Sequence, residues 1–60
     1  MFDQYPEILS IYDAAEVLGT GKNRIYELVN SGKLKAFRLG NVWRIPKKSL
    51  EIFITESANL

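Results

Sequence analysis

The residues of this chain best suited to chemistry are its positive side chains, which are crowded into one stretch. All eight Lys and Arg residues lie between positions 22 and 48, where Glu27 is the only acid, so this basic block has a net charge of +7. Residues 1–21 have a net charge of −4 and residues 49–60 of −2. A solubilising surface normally mixes both signs. The segregation therefore favours a polyanionic partner, nucleic acid above all.

Other chemistries are excluded by residue types that the chain lacks. It has no cysteine and no histidine, which removes disulfides, Cys/His zinc sites and histidine-dependent acid–base or nucleophilic catalysis. Residues 19–23 superficially suggest a phosphate-binding loop, but that motif needs Gly and Ser or Thr where this chain has Glu16 and Asn23. We expect no enzyme activity, no catalytic residue, no metal site and no cofactor.

The length of 60 residues predicts one small domain spanning residues 1–60. No apolar run approaches the ~20 residues that a membrane-spanning helix needs, and the N-terminal residues carry acids rather than the lysines of a secretory signal. We therefore expect a cytoplasmic protein with no membrane partner. Residues 1–7 should form an irregular arm and residues 57–60 should fray.

A first helix is predicted ahead of the basic block, over residues 11–18. Ser10 and Asp13 have the spacing of a capping box, and Gly19 is a typical end signal. Residues 8–9 are apolar and are predicted to be extended, as a short strand. The apolar stripe of the helix comprises Ile11, Ala14, Ala15 and Leu18.

A second helix is predicted over residues 22–30, ended by Ser31-Gly32. Ala15 where the helices cross, Gly19 in the turn and Ile25 at the junction have the spacing of a helix-turn-helix. An ordinary αα-corner is the alternative. The apolar stripe is Ile25, Leu28 and Val29, and the opposite face carries Lys22, Asn23, Glu27 and Asn30.

A β-hairpin is predicted next, with strands over residues 34–39 and 42–45 joined by a type II′ turn at Gly40-Asn41. This register pairs Leu39 with Val42, Arg38 with Trp43, Phe37 with Arg44 and Ala36 with Ile45. Trp43 and Ile45 are expected to face inward, with the Arg38 stem along the indole. Pro46 should close the hairpin and lead into a third helix over residues 47–56, whose buried face is Leu50, Phe53 and Ile54.

These motifs resemble the excisionase-type, MerR-like winged helix-turn-helix family over about residues 8–54. The resemblance rests on Leu9-Ser10, Ala14-Ala15, Leu18-Gly19, Ile25-Tyr26, Gly32-Lys33-Leu34, Arg38-Leu39-Gly40, Val42-Trp43-Arg44-Ile45-Pro46 and Leu50-Glu51-Ile52-Phe53. Two departures are Gly21-Lys22, where the family has Ser-Arg, and Glu27, where it often has Arg. The resemblance implies an α+β fold with two helices, a two-stranded hairpin wing and a C-terminal helix.

The resemblance also implies DNA binding, with the second helix in the major groove and the wing at an adjacent minor groove or at the backbone. Asn can make a bidentate contact to adenine and Glu can accept from cytosine, although Glu27 could instead orient Arg24 or pair within its helix. Tyr26 either bonds a phosphate or is half-buried, and Asn41 is either a minor-groove contact or a turn residue. The basic residues from Lys33 onward, including Lys47 and Lys48, are expected to contact phosphates, and Arg38 and Arg44 could instead pack on Trp43. The candidate DNA-binding residues are Lys22, Asn23, Arg24, Tyr26, Glu27, Asn30, Lys33, Lys35, Arg38, Asn41 and Arg44.

Family resemblance further predicts a role as an excisionase of a bacterium or phage. Such a protein, associated with the nucleoid, binds and bends double-stranded DNA near the attachment site of a mobile element. Expected partners are DNA, a site-specific recombinase (integrase) and further copies of the chain. A small MerR-like transcriptional regulator would use the same surface, and a protein-interaction adaptor or antitoxin module would instead use the apolar wing face of Phe37, Leu39 and Val42.

Overall fold

The computed structural model describes residues 3–58, which form three helices and a three-stranded antiparallel sheet. The α+β winged helix-turn-helix architecture predicted from the sequence is confirmed, and the short strand predicted over residues 8–9 joins the hairpin as the third strand of the sheet. Residues 1–2 of the predicted arm and residues 59–60 of the predicted frayed end lie outside the described residues. In chain order the elements are β1 (Ile8–Leu9), α1 (Ile11–Leu18), α2 (Lys22–Asn30), β2 (Phe37–Leu39), β3 (Val42–Pro46) and α3 (Lys47–Ala58).

Helix α1 begins and ends at the predicted residues because both of its ends are capped locally. The Ser10 hydroxyl accepts the Asp13 N–H at 3.1 Å, and the Ser10 N–H donates to the Asp13 carboxylate at 3.2 Å, which completes the capping box. At the other end Gly19 is left-handed, with φ 68° and ψ 37°. The Thr20 N–H then bonds the Ala15 carbonyl at 3.0 Å, which satisfies a terminal acceptor of the helix.

The core lies where α1 crosses α2 and where α1 and α3 meet β3. Ala15 and Ile25 are buried at the helix crossing, as the helix-turn-helix spacing predicts. Helix α2 begins at Lys22, and its N-cap residue Gly21 has no side chain to cap it, so the orientation of the helix depends on the burial of its apolar stripe. The buried core consists of Leu9, Ile11, Ala14, Ala15, Ile25, Val29, Leu34, Ile45 and Leu50.

Strand β3 lies at the centre of the sheet, between β1 and β2. The predicted pairs Phe37–Arg44, Arg38–Trp43 and Leu39–Val42 are confirmed, and Gly40 has the positive φ that the tight loop requires. The predicted start of β2 at residue 34 is wrong, and no Ala36–Ile45 pair forms. Instead the Leu34 N–H bonds the Leu28 carbonyl at 3.1 Å and its side chain is buried in the core, which holds this segment against α2.

Helix α3 follows β3 directly. Pro46 closes the hairpin as the last residue of β3, where it pairs with Ile8, and the helix begins at Lys47, as predicted. Its buried face carries Leu50, with Phe53 and Ile54 partly buried beside it, as predicted. The predicted fraying of residues 57–58 is wrong, since the helix continues to Ala58. No Gly or Pro interrupts residues 47–58, so nothing in the sequence ends the helix at residue 56.

Candidate nucleic-acid interface

The solvent face of α2 presents a row of polar side chains beside the hairpin. Burial of Ile25 and Val29 fixes the rotation of this nine-residue helix, so residues on the opposite side point to solvent. All of the candidate DNA-binding residues are exposed. Those on α2 are Lys22, Asn23, Arg24, Tyr26, Glu27 and Asn30.

Glu27 forms an ion pair with Arg24 one helical turn earlier, with Nη1 of Arg24 3.7 Å from Oε1 of Glu27. Both side chains are well exposed, so the pair contributes only a few tenths of a kcal/mol to stability. The intrahelical pairing considered for Glu27 is therefore present. A pair this weak can open at little cost when a ligand competes for either group.

The wing carries its two arginines on opposite faces. The guanidinium carbon of Arg38 lies 5.5 Å from the centre of the Trp43 ring, so the predicted contact with the indole is confirmed as a cation–π pair. Arg44 is opposite Phe37 in the neighbouring register position, and adjacent strand residues point to opposite faces. Asn41 is exposed at the tip of the hairpin.

A surface groove lies between the helices and the wing, here called the helix–wing groove. It has a volume of about 220 Å³ and brings Tyr26 and Asn41 together, as a shared DNA-binding surface requires. Sequence reasoning missed Tyr12, although its position off the apolar stripe of α1 was a readable signal of exposure. The groove is lined by Ser10, Ile11, Tyr12, Tyr26, Asn41, Val42 and Trp43.

Lys33 and Lys35 lie on a different part of the surface, beside α3. They line a second groove of about 270 Å³ with Ile52, Phe53 and Glu56 of α3. The basic block is therefore divided among the α2 face, the two faces of the wing and this α3 groove, rather than gathered at one point.

Lys47 holds the N-terminal arm against the body of the protein. Its ammonium group donates to the Tyr5 carbonyl at 3.3 Å and lies 3.8 Å from the Glu7 carboxylate, while its backbone N–H bonds the Glu7 carbonyl at 2.7 Å. Only 14% of its side chain is exposed. Its charge is therefore engaged within the protein, and the phosphate contact expected of Lys47 stays a prediction.

The acids of the N-terminal part also have local partners. Asp13 serves the capping box, and the Tyr5 hydroxyl donates to the Glu16 carboxylate. This hydrogen bond to Glu16 raises the pKa of Tyr5 above its ordinary value, helped by desolvation and by the negative charges of Glu16 and Asp13. Within residues 3–58, no group of three or more acidic side chains is placed to hold a metal ion. None of the helices in that same stretch has the length and apolar character needed to cross a bilayer.

Two helices joined by a left-handed glycine turn, followed by a β-hairpin beside the second helix, define a winged helix-turn-helix protein. The chain belongs to the helix-turn-helix domain family, whose sequence model matches residues 8–58. It is also 36% identical over 44 residues to a protein of Saccharopolyspora erythraea named "Probable excisionase". The matched stretch covers 73% of this chain and 45% of that protein, so the chain spans less than half the length of this relative. No solved structure gives a significant match. The excisionase-type resemblance inferred from the motifs is confirmed.

Proposed function

We propose that this chain is a non-enzymatic, sequence-preferring binder of double-stranded DNA. The single observation that carries the proposal is the exposed polar face of α2, flanked by a wing whose Arg38 and Asn41 are also exposed. An α-helix fits the major groove of B-DNA, and a basic surface attracts its phosphates. Asn23 and Asn30 are suited to adenine, and Glu27 to the amino group of cytosine.

The remaining basic residues and Tyr26 would contact the phosphates. Lys22 and Arg24 start α2, close to where the sugar–phosphate strand borders the major groove, and Arg38 would contact the duplex beside it. Arg44 would contact phosphates from the opposite face of the wing. Lys33 and Lys35, in the α3 groove, would meet phosphates further along. Contacts of this kind fix position without reading sequence.

The similarity to a protein named an excisionase supports a role in excising a mobile element in the cytoplasm of a bacterium. In this role the chain binds and bends DNA near an attachment site, next to further copies of itself and a site-specific recombinase. It has no cysteine or histidine for chemistry of its own. Gel mobility of circularly permuted fragments would measure the bend, and an unchanged mobility for every site position would contradict the bending role.

DNA binding itself is tested by fluorescence anisotropy with a mixed-sequence duplex at several salt concentrations. Affinity should fall steeply with salt, with a slope of about −0.9 per phosphate contacted. Lys35→Ala should weaken binding to all sequences alike and reduce the slope by about 1. Asn23→Ala should alter the sequence selected from a randomised duplex pool, by about 1–3 kcal/mol of preference. If Asn23→Ala selects the same sequence as the wild type, as Lys35→Ala should, then Asn23 does not read a base.

A second candidate function, binding of a partner protein, is favoured by the apolar outer face of the wing. Phe37 and Leu39 are 45% and 65% exposed, and exposed apolar patches mark interaction sites. Val42, predicted to share this face, is 49% exposed but lines the helix–wing groove. For a protein-interaction module, the affinity for the partner protein would not change with salt concentration. It would be lost when Phe37 and Leu39 are replaced by Ser. A loss of binding in Lys35→Ala but not in the Phe37 and Leu39 variants would exclude the protein-interaction module.

A further inference from the structure

We infer that the helix–wing groove holds one stretch of the DNA sugar–phosphate backbone and that Tyr12, on α1, is a DNA-binding residue. This inference rests on the proposed function and extends it to a residue outside both the recognition helix and the wing. It follows from what borders the groove, which is aromatic, uncharged and flanked by two cations held on aromatic rings.

The first step is the position of Lys22. Its ammonium nitrogen lies 5.6 Å from the centre of the Tyr12 ring, within the range of a cation–π interaction. Tyr12 is 66% exposed, so its own burial contributes little, and its contact with Lys22 joins the start of α2 to α1. The ring therefore restricts a lysine side chain that would otherwise sample many rotamers.

The second step is a second cation placed on an aromatic ring. The Arg38 guanidinium lies over Trp43, and Trp43 lines the groove just as Tyr12 does. Two of the aromatic rings that line the groove therefore each carry a cation. Lys22 and Arg38 do not line the groove themselves, so a phosphate bound there would meet their positive charge at its border.

The third step is the chemistry of the lining. None of the side chains that line the groove is acidic, and Tyr12, Tyr26 and Asn41 offer neutral donors. Val42 and Trp43 supply apolar surface that suits a deoxyribose. The nearby acid on α2, Glu27, is paired with Arg24, and Asp13 on α1 is engaged by the Ser10 cap. The groove therefore suits an anionic, partly apolar strand.

The decisive variants separate the hydroxyl of Tyr12 from its ring and from Lys22. Tyr12→Phe should weaken binding to a mixed-sequence duplex about tenfold, the loss expected for one hydrogen bond to a charged group. The salt slope should stay unchanged, because a neutral hydroxyl displaces no counterion. Lys22→Ala should instead reduce the slope by about 0.9.

Removing the ring as well tests the cation–π pair. Tyr12→Ala should lose a further two- to fivefold in DNA affinity through this pair, and less when Lys22 is already Ala. Tyr5→Phe is the matched control, since Tyr5 bonds Glu16 outside the groove.

An independent readout comes from Trp43, the only tryptophan of the chain. DNA in the groove should protect its fluorescence from acrylamide quenching, and circular dichroism should show every variant folded. If the wild-type chain binds no DNA, the proposed function and this inference both fail. If it binds with a steep salt dependence, while Tyr12→Phe matches Tyr5→Phe and Trp43 stays equally quenchable, the inference alone is overturned.

Discussion

Two glycines in the turn between α1 and α2 should respond to substitution in opposite directions. A Cβ added at Gly19 or at Gly21 would meet no atom within 4 Å, so crowding plays no part at either position. Their backbones differ, however. Gly19 has φ 68° in the left-handed region, whereas Gly21 has φ −82° and ψ 159° in the extended region that any residue adopts.

The magnitudes follow from these two conformations. A left-handed Ala costs about 1–2 kcal/mol, and the reduced freedom of the unfolded chain offsets about 0.4–1 kcal/mol of it, so Gly19→Ala should destabilise by about 1 kcal/mol. Gly21→Ser has the same unfolded-state benefit without the backbone cost, and its hydroxyl can cap α2 for a few tenths more. It should stabilise by about 0.5–1 kcal/mol.

Thermal unfolding followed by circular dichroism measures both effects. For a domain of this size 1 kcal/mol shifts Tm by about 4–8 °C, so the two variants should lie on opposite sides of the wild type. Gly19→Asn is the control, because Asn tolerates the left-handed region better than Ala. A Gly19→Ala protein as stable as the wild type, or a Gly21→Ser protein less stable, would refute the reasoning.

Two further predictions concern hydrogen bonds near the N-terminus. Ser10→Ala should cost about 1 kcal/mol in urea unfolding, because it removes the acceptor of the Asp13 N–H, while Ser10→Thr should retain most of the stability; equal losses in both variants would contradict the cap. Tyr5 should ionise with a pKa above 10.0 in an absorbance titration near 295 nm, and Glu16→Gln should return its pKa toward that ordinary value. Since its folded pKa is raised, the stability from this bond is fully present below the ordinary value and is lost as pH rises through the raised one. An unchanged titration in Glu16→Gln would contradict this assignment.

The elements that the sequence predicted correctly are those whose signals are local. Ser10 and Gly19 bound α1 through atoms within five residues of each end, and the loop at Gly40 determines the hairpin register. Hydrophobic spacing was sufficient to place Ile25 and Leu50 in the core. Each of these signals can be read from a short window because each interaction spans only a few positions.

The features that sequence reasoning missed depend on contacts between distant segments. Lys47 bonds the Tyr5 carbonyl 42 positions away, and no local pattern distinguishes such an anchor from an exposed cation. Leu34 continues the apolar alternation of a strand, yet its backbone bonds α2 instead. Tyr12 gains its significance only when Lys22 and the wing are brought beside it.

The pairing of β3 on both of its edges holds the wing rigidly against the body of the protein. Its base is fastened to β1 and its outer half to β2, and α3 continues from it without a connecting residue. The buried side chain of Ile45 anchors β3 in the core, so no flexible hinge separates the tip of the wing from the body of the protein. If DNA binds both α2 and the tip, as proposed, the duplex rather than the wing would have to bend to fit them.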